Sequence, residues 1–318
     1  MGVEWWPSEP VFFTSDDPKQ DWEKPSDFLV SYLKSKLGLE WLSDQFNKDY
    51  RSRHEVAKWY TKGIPNIEEG SSDIWQKPNG KALALLHLAY DLFVLEHEGN
   101  LPDFILERLR NGPNFNGARY ELFVFATLIR AGFDIEYSDE KSGLNGRVPE
   151  CKITHRKTKQ QLYVEAKTRN IKNVLGSTQG KSKKIRLYGK LKDALDKDVD
   201  GPYLIFVDVN HPNIKAKRGK DDLEKIRSEY KKLEKIHANS LPNIVCFTNI
   251  PFHYGADDSS PEQSLFGFML PRYPKYKLND IDSIFEAINS SIGKYHFLPK
   301  EFNEADTHAN TMLDNTKI

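Results

Sequence analysis

Glu165 and Lys167 stand two residues apart in a short β-like run, Gln161 to Lys167, and Glu150 opens another, Glu150 to His155. The polar segment Arg156 to Gln160 between the runs is too short for a helix, so they pair most simply as an antiparallel hairpin. Side chains alternate faces along a strand. Leu162, Val164 and Ala166 therefore share one face, and Tyr163, Glu165 and Lys167 share the other. An acid and a lysine side by side, backed by an apolar face, make a site set into a sheet, and Glu150 supplies a second carboxylate from the partner strand. Between Lys152 and Lys192 there are thirteen Lys or Arg and one acid, Glu165. A basic block around an acid-lysine pair points to an anionic partner, nucleic acid above all. The competing explanation for any lysine-rich stretch is a solvated charged surface.

The whole chain carries a net charge of +0, so the block is a local feature. At 318 residues, 38% hydrophobic, with a mean hydropathy of -0.64, the composition is that of a soluble protein with a full core. No apolar run reaches the roughly 18 to 20 residues that span a bilayer, which argues against a membrane partner. The N-terminus Met1-Gly-Val-Glu-Trp-Trp-Pro7 lacks the basic and apolar regions of a secretory signal. Two cysteines, Cys151 and Cys246, cannot build a disulfide framework or a four-ligand zinc site, and a reducing cytoplasm fits them.

The elements that must position the hairpin follow from periodicity. Residues 1 to 25 read as an extended arm, and Ser26-Asp27 cap a helix that stops at Gly38. A second helix is expected over Leu39 to Tyr60, broken by Gly63-Ile-Pro65. The strongly apolar run Ala82 to Glu96 predicts a buried helix, and Asp103 to Leu109 a short one. Gly117 to Gly132 follows as a helix, with Leu122, Phe125, Ala126 and Ile129 at helical spacing and Glu121 in its first turn, where a glutamate is usually a dipole partner. A strand over Phe133 to Tyr137 precedes the hairpin. Beyond it come a basic helix (Ser182 to Asp196), a buried strand (Tyr203 to Val209), an amphipathic helix (Asp221 to Ala238) and a strand (Asn243 to Thr248). A further strand over Ser264 to Leu270 and a helix over Asp280 to Ile292 precede a polar, frayed tail from Glu301. The order predicts an α/β fold with a mixed β-sheet flanked by helices. Three regions are expected: an N-terminal arm and helical region over 1-112, an α/β core over 113-255, and a C-terminal extension over 256-318.

Glu121 on a helix, Glu150 at the start of a strand and Glu165-Ala-Lys167 at the end of the next resemble the PD-(D/E)xK nuclease superfamily. That family's core, a helix, three strands, a helix and a strand, matches Gly117 to Val209, less than half of the chain. The resemblance implies a restriction-endonuclease-like core and a Mg²⁺-dependent endonuclease, with Mn²⁺ as a substitute, acting on nucleic acid, DNA rather than RNA. By position it makes Glu150 and Glu165 the metal ligands, Lys167 the residue that orients or deprotonates the attacking water, and Glu121 the supporting acid. Pro149-Glu150 replaces the family's commoner Pro-Asp. Arg169, Lys172, Lys181, Lys183, Lys184 and Arg186 become the nucleic-acid contacts, and a homodimer is compatible. Phosphodiester hydrolysis needs charge stabilisation at the phosphate and an activated water, and a hard cation held by carboxylates supplies both. A lysine beside that cation loses its proton more readily. A surface ion pair between Glu165 and Lys167 would explain neither Glu150 nor Glu121. A silent nucleic-acid-binding or protein-interaction module on the same fold is the alternative from another class.

Two other features carry less. Gly176-Ser-Thr-Gln-Gly-Lys-Ser182 has three residues between its glycines where a phosphate-binding loop needs four, which argues against an NTPase. His87 and His97 fall on or near the apolar helix as packing residues. His253 and Tyr254 could border the site, with packing the commoner explanation.

Overall fold

The computed structural model describes residues 25–69, 79–98, 101–138, 148–169, 185–211, 219–256, 264–295 and 298. Strands Cys151–His155 (β2) and Gln161–Thr168 (β3) form the expected hairpin, with Cys151 opposite Val164 and Ile153 opposite Leu162. Those four side chains are buried on one face, so the register follows from apolar alternation. Phe133–Tyr137 (β1) pairs antiparallel on the outer side of β2. Tyr203–Asp208 (β4) lies parallel to β3, Ile244–Asn249 (β5) parallel to β4, and Leu265–Met269 (β6) antiparallel to β5. The sheet is mixed and six-stranded, in the order β1-β2-β3-β4-β5-β6. Every residue of β4 and β5 is buried, as their near-continuous apolar runs require of strands covered on both faces.

Helices cover the two faces. Tyr188–Leu195 (α7) and Gly219–Ile236 (α8) are the crossovers on either side of β4, and they pack over Tyr203, Ile205, Val207, Val245 and Phe247. On the opposite face Phe115–Arg130 (α6) lies over Leu162, Val164, Ala166, Leu204 and Phe206. That second core is continuous with Pro25–Leu37 (α1), with Gly80–Glu98 (α4), which is buried from Ala82 to Leu95, and with Ile281–Gly293 (α9). Asp103–Arg110 (α5) leans on α6. No helix among the described residues is long and apolar enough to cross a membrane.

Three local readings change. The helix expected over Leu39 to Tyr60 divides into Leu39–Phe46 (α2), a 3-10 turn Tyr50–Ser52, and Glu55–Glu69 (α3). Arg53 causes the division, because its guanidinium takes up the Phe46 and Lys48 carbonyls at 2.8 and 3.0 Å and ends α2 there. Gly63-Ile-Pro65 does not break α3. Gly63 instead lets α3 approach α4, since a Cβ at this position would sit 3.0 Å from the Ala82 nitrogen. The basic helix expected from Ser182 begins at Tyr188, because Glu229 of α8 accepts the Leu187 and Tyr188 amides at 3.0 and 3.2 Å and fixes the helix start. Residues 182–184, the arm over 1–24 and the tail from Glu301 lie outside the described residues.

A buried polar cluster joins distant parts of the chain. Asp91 of α4 accepts from Arg119 (2.8 Å) and Arg130 (3.2 Å) of α6 and from the Tyr295 hydroxyl (2.8 Å). The same hydroxyl lies 2.7 Å from His253 Nε2, in the 3-10 turn Pro251–Tyr254. His253 is therefore a packing residue, held neutral by burial and by the nearby Arg119 guanidinium. Tyr254 hydrogen-bonds Asp208 at the end of β4, and burial pushes that aspartate up to about 6.

Gly255 closes the 3-10 turn at φ +69°, where an added Cβ would lie 2.4 Å from Trp59 Nε1. Gly255→Ala combines a left-handed backbone penalty with overpacking, and should lose about 2 to 4 kcal/mol of stability. Urea unfolding monitored by tryptophan fluorescence measures this, and an unchanged midpoint would mean that Trp59 moves aside without cost.

Candidate active site

β3 crosses the centre of the sheet, with α6 on one face and α7 on the other. Alternation along it sends Ala166 into the α6-side core and Glu165 and Lys167 toward the α7 side. Glu165 stands beside Ile205 and Lys167 beside Val207 across the parallel pairing with β4. Glu165 is 0% exposed, whereas Lys167 keeps part of its side chain open. The Glu150 amide donates to the Val164 carbonyl at 3.0 Å, and its own carbonyl accepts from Ser138 at 3.1 Å. These two bonds fix the backbone of Glu150 where β2 begins. Glu121 lies in the second turn of α6 rather than the first, because the helix starts at Phe115. It is clamped through both oxygens by Arg108 of α5, at 2.5 and 2.7 Å.

The electrostatics tie these groups together. The Lys167 ammonium rests on Glu165 Oε1, and the Lys197 ammonium lies 3.6 Å from the same oxygen. The other oxygen, Glu165 Oε2, is buried with no hydrogen-bond partner among the described residues. The Glu150 residue is only partly covered, yet protein atoms crowd its carboxyl and hold its pKa well above the usual carboxylate range. Glu121 and Glu165 add to that rise, and Lys167 and Lys197 oppose it. Burial likewise raises Glu165, with the two lysines pulling the other way. For Lys167, burial pushes downward, but Glu165, Glu150 and Glu121 outweigh it and hold the ammonium protonated. The depressed pKa expected of this lysine thus depends on the charge of a bound cation, and protein groups alone do not produce it.

Glu121, Glu150, Glu165 and Lys167 therefore gather from α6, the start of β2 and β3 into one electrostatically coupled group. They do not form a complete cage. Among the described residues no three His, Cys, Asp or Glu side chains are grouped closely enough to hold a metal ion. The donors are all oxygens, and a buried carboxylate oxygen without a partner is what a hard cation would satisfy. Of the expected nucleic-acid contacts, Arg186 is exposed. Arg169 is nearly buried and donates to the Val209 carbonyl at 2.8 Å, so it braces the ends of β3 and β4 instead of facing solvent. Lys172, Lys181, Lys183 and Lys184 lie outside the described residues.

Two site residues carried no signal in the sequence. Arg108 sits in a short helix with nothing to mark its partner, and only the packing of α5 on α6 brings it to Glu121. Lys197 falls just past the basic block, in Asp193-Ala-Leu-Asp-Lys-Asp-Val-Asp200, where its acidic neighbours suggest a solvated surface.

A raised carboxylate pKa destabilises the folded state at pH values above the ordinary carboxylate range, because folding must then either bury a charge or take up a proton. Glu150→Gln removes that cost. In a divalent-free buffer the variant should exceed the parent at pH 7 by on the order of 1 kcal/mol. The difference should shrink as the pH falls through the ordinary carboxylate range and vanish below it, where Glu150 is protonated in both states. Thermal unfolding across this range checks it, and a Glu150→Gln protein less stable at pH 7 would contradict the coupling.

No protein-family model, curated protein or solved structure matches this chain.

Proposed function

We propose that this chain is a metal-dependent nuclease with a restriction-endonuclease-like core, hydrolysing phosphodiester bonds of nucleic acid, DNA in preference to RNA. The observation that carries the proposal is the buried Glu165 Oε2, without a hydrogen-bond partner among the described residues, beside a Glu150 carboxyl that burial first, and then the neighbouring acids, hold above its usual pKa. Such an arrangement is costly for a fold and useful to a cation site. The succession α6, β1, β2, β3, α7, β4 supports it by agreeing with the family's helix, three strands, helix and strand.

Glu165 and Glu150 would hold Mg²⁺ or Mn²⁺ through oxygen. A bound Mg²⁺ supplies positive charge at the phosphate and makes a water more acidic. Lys167, on the exposed side of Glu165, holds and orients the attacking water through its N–H donors. Glu121, kept in place by Arg108, adds negative charge that favours the cation without needing to ligate it.

A catalytically silent binding module on this fold is the second reading. It is favoured by the ammonium already seated on Glu165 and by the lack of a three-ligand group among the described residues. Metal binding separates the two. A nuclease should bind Mn²⁺ by calorimetry and cut DNA in Mg²⁺ with loss of cutting in EDTA, and a silent module should do neither. Glu165→Gln should abolish metal binding and cleavage together. Lys167→Ala should keep the metal while losing about 10²- to 10⁴-fold in rate, the range for a positioned proton-transfer group. Full activity in Lys167→Ala would remove the acid-lysine pair from the mechanism.

Nucleic-acid binding should also depend on the basic block. Neutralising Lys181, Lys183 and Lys184 together should make the slope of log affinity against log salt shallower by up to about 3, close to 0.9 for each phosphate no longer neutralised. An unchanged slope would place the binding surface elsewhere.

A further inference from the structure

We infer that Lys197 is a positioning residue that sets Glu150 against Glu165, an inference that rests on the metal-dependent nuclease proposed above. Lys197 follows the end of α7. Its amide donates to the Ala194 carbonyl at 3.2 Å, and the Tyr203 hydroxyl at the start of β4 holds the same carbonyl at 2.8 Å. The backbone of Lys197 is thus anchored to both a helix end and a central strand. From there its side chain, mostly covered, crosses to two targets: its ammonium donates to the Val148 carbonyl at 2.9 Å and lies 3.6 Å from Glu165 Oε1. Val148 is two residues before Glu150. One ammonium therefore bridges the lead-in to β2, which carries the first acid, and the middle of β3, which carries the second.

The two lysines at Glu165 divide the work. Lys167 reaches its carboxylate from two residues along the same strand, so it does not constrain β2. Lys197 links the acid-bearing elements and also occupies the Oε1 side of Glu165, leaving Oε2 as the oxygen without a hydrogen-bond partner among the described residues. A group that orients the ligands of a metal is commonly worth 10- to 100-fold in metal affinity when removed.

Charge alone predicts the opposite sign. Deleting a cation beside a cation site relieves repulsion and should tighten metal binding, as Lys167→Ala should. Lys197→Met keeps the apolar stem and removes the bridge. If Lys197 positions the carboxylates, Mn²⁺ affinity measured by calorimetry should fall about 10- to 100-fold in Lys197→Met. It should return within a few-fold of the parent in Lys197→Arg, which keeps a charged donor of similar reach. A second readout needs no metal. The Glu150 amide, bonded to the Val164 carbonyl, should exchange with solvent about tenfold faster in Lys197→Met than in the parent and recover in Lys197→Arg. Unchanged exchange of that amide, or Mn²⁺ affinity that rises in Lys197→Met, would overturn the inference. A parent protein that binds no Mn²⁺ would overturn the nuclease proposal instead, while the exchange measurement would still decide whether Lys197 holds the lead-in to β2.

Discussion

A glutamate with no exposed surface, in a central strand between a helix and a β-strand neighbour, constrains much of what surrounds it. Ionised carboxylates are expensive to bury, and the expense falls only when opposite charge or donors come close. Around Glu165 the described residues supply two ammonium groups to one oxygen and none to the other. The chain then brings Glu121 and Glu165 near enough to Glu150 for their charges to add to the rise that burial gives the Glu150 pKa. A fold selected for stability alone would place an apolar side chain at this position, as it does at Val164 and Ala166 on the other face. Retaining the acids costs stability that the large apolar core on the α6 side of the sheet must offset.

Much of the fold was legible because its signals are local. Alternation in Gln161–Thr168 assigned faces correctly, the apolar runs of β4 and β5 marked buried strands, and Gly38 ended α1 where expected. The misreadings came from contacts that helical periodicity does not register. Arg53 ends a helix by capturing carbonyls, Glu229 delays another by capturing amides, and Gly63 is an allowance for a neighbouring helix rather than a breaker. None of these partners can be inferred from spacing along the chain.

The candidate site divides in the same way. Glu150, Glu165 and Lys167 could be found because strand alternation and a hairpin bring them together. Glu121 needed the resemblance to a known family, since a lone glutamate near a helix start is ordinarily a dipole partner. Arg108 and Lys197 were invisible: one lies in an unremarkable short helix and the other among aspartates, and only tertiary packing gives either a role. Arg169 shows the reverse error, a basic residue in a basic stretch whose guanidinium is used inside the protein.

The buried cluster of Asp91, Arg119, Arg130 and Tyr295 bears on the order in which the protein can be completed during synthesis. Arg119 has no exposed surface, and one of its nitrogens is hydrogen-bonded to the hydroxyl of a tyrosine made 176 residues later. Until that tyrosine leaves the ribosome, α4 and α6 can dock only with a guanidinium and a carboxylate incompletely satisfied. Closure of the α6-side core is therefore a late event, however early the helices themselves form. Loss of the chain beyond α9 would reach far upstream, unsettling the helix that carries Glu121 while leaving every candidate catalytic residue in the sequence.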